Sequence, residues 1–151
     1  MKQFWVDIRP FNKKIATTAI ESGADAVVVD RSEDIKNLGR ITTIAPDGDI
    51  RPGRDVVECT ITDKESENTA AAWGKKQYVV VTTSDWTVIP LENLVAQSDR
   101  IIARVKTVKE AEMALNVLEK GVYGILLTTH DPATVRAVAS IMKAATGKIG
   151  L

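Results

Sequence analysis

The stretches "ATTAIESGADAVVV" (residues 16–29) and "ALNVLEKGVYGILL" (residues 114–127) align position for position. Each runs from a helix-like segment through Glu, one further residue and Gly into an apolar strand. Glu21 and Gly23 in the first match Glu119 and Gly121 in the second. A repeated helix–loop–strand unit predicts alternating β and α elements laid on a parallel sheet.

The rest of the chain follows that rhythm. β-rich runs recur as "QFWVDI" (3–8), "DAVVVD" (25–30), "RITTIA" (40–45), "DVVECTI" (55–61), "QYVVVTT" (77–83), "RIIARV" (100–105) and "YGILLTT" (123–129). Most are apolar on both faces, as parallel strands covered on both sides are. Helical patterns lie between them. Residues 12–22 place Ile15, Thr18, Ala19 and Ser22 on one stripe, with Gly23 as the C-terminal cap. Residues 107–121 begin with Thr107 and Glu110 spaced as a capping box and bury Val108, Ala111, Leu115 and Leu118. Residues 131–144 start with Asp131 as cap and Pro132 in the first turn. Residues 64–74 form a less regular helix, and "VTTSDWTVIPLENLVAQ" (81–97) opens as a strand and closes as a helix.

Two segments break the pattern. "APDGDIRPGRD" (45–55) holds two Pro and two Gly, so the third strand meets the fourth through a loop rather than a standard crossover helix. Either the strand order is irregular there, or one of the two runs lies outside the sheet. "KIGL" (148–151) reads as the start of an eighth strand. A full barrel usually takes about 200 residues or more, so 151 is short for one. The expected fold is a single α/β domain over 1–151, a compact or incomplete (βα)8-type barrel. A doubly wound open parallel sheet is the alternative.

Composition narrows the function. Hydrophobic residues at 44% and charged residues at 26% suit a globular core and exclude a disordered chain. Twenty basic and twenty acidic residues cancel, and no stretch concentrates Lys and Arg with interleaved aromatics. That argues against a nucleic-acid or membrane surface. The apolar runs are far shorter than the roughly 20 residues of a membrane helix. One cysteine, Cys59, gives no intrachain disulfide and no cysteine-rich metal site, which points to a reducing, cytoplasmic setting.

In parallel α/β folds, sites form at the carboxyl ends of the strands. That rule selects Asp7 and Arg9, Asp30 and Arg31, Glu58 and Thr60, Thr82, Thr83 and Asp85, Arg104 and Lys106, and Thr128, Thr129 and His130. Asp7 and Arg9 share strand parity, which suits a local ion pair as well as a site. Glu58 interrupts an apolar strand and so needs a partner or a role. His130 is the one imidazole, placed for a general base or for an exposed helix entry. Lys106 is placed to form an iminium with a carbonyl, against the plainer reading of a solvated lysine. Cys59 alternates with Glu58 and reads as a small packed residue. No G-x-G-x-x-G, Walker loop, G-x-S-x-G or H-E-x-x-H occurs.

"DWTVIPLENL" (85–94) resembles the archaeal-type, or type II, 3-dehydroquinate synthases. The resemblance also covers "FWVDIRP" (4–10), "LGRI" (38–41), the segment 17–30 and the segment 110–127. It implies an NAD-dependent enzyme of aromatic amino acid biosynthesis. That enzyme converts 2-amino-3,7-dideoxy-D-threo-hept-6-ulosonate to 3-dehydroquinate by oxidative deamination and aldol cyclisation. Such chemistry needs bases, donors for developing oxyanions and a folded substrate. Asp85, Glu92 and Glu58 are the candidate bases or ammonium partners. Asn93, Thr82 and Arg9 are candidate donors, and Asp7 and Lys106 complete the substrate-binding set.

The family's members are longer, with a β-rich carboxyl-terminal part. The expected partners are therefore that missing part, an amino-sugar-like substrate and a second copy of the chain. NAD follows from the resemblance alone, with no dinucleotide fingerprint here and no metal expected. The competing readings are a non-catalytic assembly domain, with "DWTVIPLEN" as a packing corner, and a different aldolase-like barrel.

Overall fold

The computed structural model describes residues 2–83, 88–116 and 121–149. The elements run β1 (Gln3–Asp7), α1 (Lys13–Glu21), β2 (Ala26–Val28), α2 (Glu33–Lys36), β3 (Thr42–Ile44), β4 (Val56–Ile61), α3 (Lys64–Trp73), β5 (Tyr78–Thr83), α4 (Val88–Gln97), β6 (Ile101–Val105), α5 (Val108–Leu115), β7 (Gly124–Thr128) and α6 (Pro132–Ile149). The strands form one sheet in the order β3-β2-β1-β7-β6-β5-β4, and every pairing is parallel. β1 lies beside β7, as in a ring of strands, and the ring is open between β3 and β4. A doubly wound sheet would reverse direction beside β1 and place β4 there. That alternative is excluded.

Side-chain alternation shows that the sheet curls. Trp5, Val28, Ile44, Val56, Val80, Ile102 and Leu126 belong to one buried cluster, one residue from each strand. The two edge strands meet the same cluster only if the sheet wraps around it. The alternate residues, including Phe4, Val6, Val27, Val79, Val81, Ala103, Ile125 and Leu127, pack outward against the helices. Each large apolar side chain buried in this way contributes about 1.5–3 kcal/mol. The fold is an incomplete (βα)8-type barrel.

The repeated unit has a backbone basis. Gly23 ends its unit's helix at φ +85°, and Gly121 occupies the matching position at φ +70°. Both angles lie in the left-handed region that glycine adopts without strain.

The 45–55 loop explains the open seam. With no helix to carry the chain across, β3 and β4 both join the sheet but sit at opposite edges. Ile50 N–H donates to Thr43 O at 2.9 Å and Ala45 N–H to Ile50 O at 3.1 Å, so Ile50 covers part of the β3 edge. Gly53 N–H donates to Val56 O at 2.7 Å where β4 begins.

Two local expectations are corrected. Lys148 and Ile149 belong to α6, not to an eighth strand, because no proline interrupts the alanine-rich run after Pro132. Gly150 and Leu151 lie outside the described residues. At α5, Thr107 Oγ1 accepts from Glu110 N–H at 3.1 Å, but the Glu110 carboxylate reaches one residue further back, to Lys106 N–H. The capping box is therefore half formed. Leu118 lies outside the described residues.

Candidate functional site

Inside the curl, the side chains stack in layers set by strand parity. Trp5 lies over Tyr78 edge-to-face at 5.5 Å, and Tyr78 lies 5.6 Å from Tyr123. This aromatic floor and the apolar cluster around it fill the amino-terminal side. Two residues further along the strands, the same inner face becomes polar: Asp7 follows Trp5, Glu58 follows Val56, Thr82 follows Val80, Arg104 follows Ile102 and Thr128 follows Leu126.

Four charges meet in that layer. Arg9 grips Asp7 as a fork, Nε to Oδ1 at 2.9 Å and Nη2 to Oδ2 at 2.8 Å. Arg104 Nη1 donates to Asp7 Oδ2 at 3.0 Å and to Thr128 Oγ1 at 2.9 Å. Arg104 Nη2 donates to Glu58 Oε1, and Arg9 Nη2 lies 3.6 Å from the same oxygen. Two guanidiniums thus bridge two carboxylates contributed by β1 and β4. The Asp7 side chain is 6% exposed and that of Glu58 53%, so one carboxylate is locked and the other faces solvent.

The electrostatics follow. Burial on its own pushes the Asp7 carboxyl up, but the hydrogen bonds and charges of Arg9 and Arg104 outweigh it and hold it below the ordinary carboxylate range. Arg9 is held further into its charged form, chiefly by its hydrogen bonds to Asp7. Next to the cluster lies a cavity of about 370 Å³, lined by Trp5, Val28, Ile44, Val80 and Leu126 with Arg9 and Glu58. A larger cavity of about 680 Å³ sits beside α2. Its carboxylates are engaged by the chain itself: Asp47 accepts from Ser32 N–H and Oγ–H, and Asp49 from Thr43 N–H.

The candidate residues therefore divide. Asp7, Arg9 and Glu58 come together, and Thr82 is half-buried on the same inner face. Lys106 is exposed beyond the end of β6, and His130 is exposed before α6. Glu92 and Asn93 sit half-buried on α4, and among the described residues neither bonds to the cluster. Asp85 lies outside the described residues, as does Trp86. Cys59 packs on the outer face, where burial pushes its thiol up. Arg104 is the residue that the sequence places at a strand end without ranking it as a site. Its parity with Ile102 was the available signal.

The family model of the 3-dehydroquinate synthase II N-terminal domain matches residues 1–142. The chain belongs to this family. The 3-dehydroquinate synthase of Methanoregula boonei is 71% identical over all of this chain and 46% of its own length. That of Methanoculleus marisnigri is 58% identical with the same coverage. A 3-dehydroquinate synthase homolog of Aquifex aeolicus is 50% identical over 94% of this chain and 44% of its own. The chain thus spans about half the length of the curated relatives it matches. Phosphoribosylanthranilate isomerase of Thermotoga maritima shares the fold, with a TM-score of 0.69 at 10% identity, over 97% of this chain and 100% of that one.

The family resemblance raises the question of NAD. A dinucleotide pyrophosphate sits at a helix N-terminus with free N–H groups. At four of the described helix starts one of those groups is engaged by the chain's own capping side chain. Asn12 caps α1, Asp63 caps α3, Thr107 caps α5 and Asp131 caps α6. Two of the four caps are carboxylates, which repel a pyrophosphate. Asp63 and Asp131 make the starts of α3 and α6 the least suited of the four to a pyrophosphate. Among the described residues no group of three or more His, Cys, Asp or Glu is placed to hold a metal ion, and no helix is long and apolar enough to cross a membrane.

Proposed function

We propose that this chain carries the substrate-binding half of an enzyme that converts the amino-ulosonate to 3-dehydroquinate. The observation that supports it is the Asp7–Arg9–Glu58–Arg104 cluster at the carboxyl ends of the strands. It occurs in a chain whose relatives are named 3-dehydroquinate synthase. In this reading the substrate amine is oxidised to an imine, water replaces the nitrogen and ammonia leaves. The carbon next to one carbonyl then attacks the other to close the ring. Arg9 and Arg104 supply donors for the oxyanion that develops in the closing step. Glu58, the solvated carboxylate, takes the ammonium before oxidation and a proton afterwards. Asp7 stays ionised and positions both guanidiniums. NAD, as hydride acceptor, is assigned to the remainder of the longer protein, which also supplies a partner for the open β3–β4 seam.

The test is NADH formation from the amino-ulosonate by the chain, alone and joined to the remaining half of a curated relative. The joined protein is expected to turn over and to lose at least about 100-fold in rate on Arg104→Ala. Full activity in that variant, natively folded, would remove the cluster from the mechanism. Sedimentation of the chain alone reads whether a second copy covers the seam instead.

A further inference from the structure

Asp7 and Thr128 are register neighbours on β1 and β7, and Arg104 reaches both from β6. Its Nη1 donates to Asp7 Oδ2 at 3.0 Å and to Thr128 Oγ1 at 2.9 Å, so both N–H groups of that nitrogen are spent on the sheet. The two acceptors are not equivalent. Asp7 Oδ2 is shared, because Arg9 Nη2 donates to the same oxygen at 2.8 Å. One bond to a shared oxygen ties Arg104 at a point and leaves its plane free to turn. Glu58 adds little restraint, since its side chain is 53% exposed. Thr128 Oγ1 is the second fixed point. Its β-branched side chain is stiff about χ1, and two anchors on one nitrogen set the guanidinium plane.

With Nη1 consumed, the remaining edge of Arg104 is Nε with Nη2. On Arg9 the same edge is closed, because Nε and Nη2 fork onto Asp7. On Arg104 it carries a single bond, from Nη2 to Glu58 Oε1, and among the described residues Nε has no acceptor. Such an edge presents two parallel N–H groups, the geometry that an oxyanion takes in bidentate fashion. We propose that Thr128 is a positioning residue that acts through Arg104. It fixes the guanidinium plane so that Arg104, rather than Arg9, presents an open fork at the carboxyl ends of the strands. This rests on the role given to Arg104 in ring closure, where the fork meets the developing oxyanion.

The experiment reads motion first and turnover second. Nitrogen NMR of the chain measures how fast each guanidinium rotates about its Nε–Cζ bond. In the unaltered chain Arg104 is expected to turn about tenfold or more slowly than the exposed Arg40. Thr128→Val keeps the shape and removes the acceptor. It is expected to speed Arg104 by about tenfold while Arg9 stays slow, and Thr128→Ser is expected to keep Arg104 slow. The second readout uses the chain joined to the remaining half of a curated relative. There Thr128→Val is expected to lower kcat and kcat/KM for 3-dehydroquinate together, by about tenfold or more, with Thr128→Ser close to the unaltered protein. Fast rotation of Arg104 in the unaltered chain overturns the proposal and needs no variant to fold. So does an Arg104 that stays slow in Thr128→Val, an equal loosening of Arg9, or full turnover by that variant. A joined protein without turnover before any substitution removes the synthase reading instead, and the rotation rates still decide whether Thr128 holds Arg104.

Discussion

Burial alone would favour the neutral acid at Asp7, and two guanidiniums reverse that. The folded carboxyl lies below its ordinary value of 3.8, so the unfolded chain binds the extra proton first. The resulting stabilisation is complete above the unfolded value and is lost as pH falls through the folded one. Asp7→Asn is expected to cost about 2–3 kcal/mol near neutral pH, a figure discounted because Arg9 is partly solvated. It should also flatten the acid side of the stability curve. Urea titrations across the acid range read both effects, and an unchanged acid limb would remove Asp7 as its source. Asp7, Arg9 and Glu58 were legible from strand parity and the carboxyl-end rule. The importance of Arg104 was not. Its contact with Asp7 crosses from β6 past β7 to β1, and no local pattern announces that β1 and β7 are neighbours. Glu92 and Asn93 drew attention through a family motif whose described part lies on an outer helix.

At the scale of the elements, caps and glycines carry the local code. Asp63 Oδ1 accepts from Ser66 N–H at 2.8 Å while Ser66 Oγ accepts from Asp63 N–H at 3.1 Å, a reciprocal box. Asp63→Ala is expected to destabilise the chain by about 1 kcal/mol, read as a lower urea midpoint with an unchanged slope. Gly121 is less forgiving. A Cβ there would sit 2.3 Å from Leu115 O, on a backbone at φ +70°. Gly121→Ala is therefore expected to cost more than about 1 kcal/mol, whereas Gly53→Ala, with open space around it, should lose only the backbone term. Equal losses at the two sites would contradict this account. The α3 box escaped the sequence reading because Asp63 lies just before the segment read as helix.

The whole molecule is a curled sheet with a seam, and the seam was half legible. The Pro- and Gly-rich loop at 45–55 showed that an ordinary crossover fails there. Only the strand order shows that both flanking strands remain in the sheet and part company. The closing strand expected at "KIGL" was misread because an apolar tail and a helix end look alike over so few residues. The seam has a measurable counterpart. β1 and β7 each have a strand on both sides, while β3 and β4 each have one. Backbone amides of β1 and β7 are expected to exchange with deuterium only on global opening, those of β3 and β4 by smaller local openings. Uniform protection across all strands would count against an open seam.

The place of β1 beside β7 also bears on how the chain is made. Gln3 pairs with Gly124, and Asp7 with Thr128. β1 therefore leaves the ribosome about 120 residues before the neighbour that completes its hydrogen bonding, the separation of contacts that slows folding most. Until β7 emerges, the ribbon β1–β2–β3 has an apolar edge and no lid on Trp5. That unpaired edge is the kind of transient surface on which aggregation starts, so the nascent chain is expected to aggregate more readily than the finished fold.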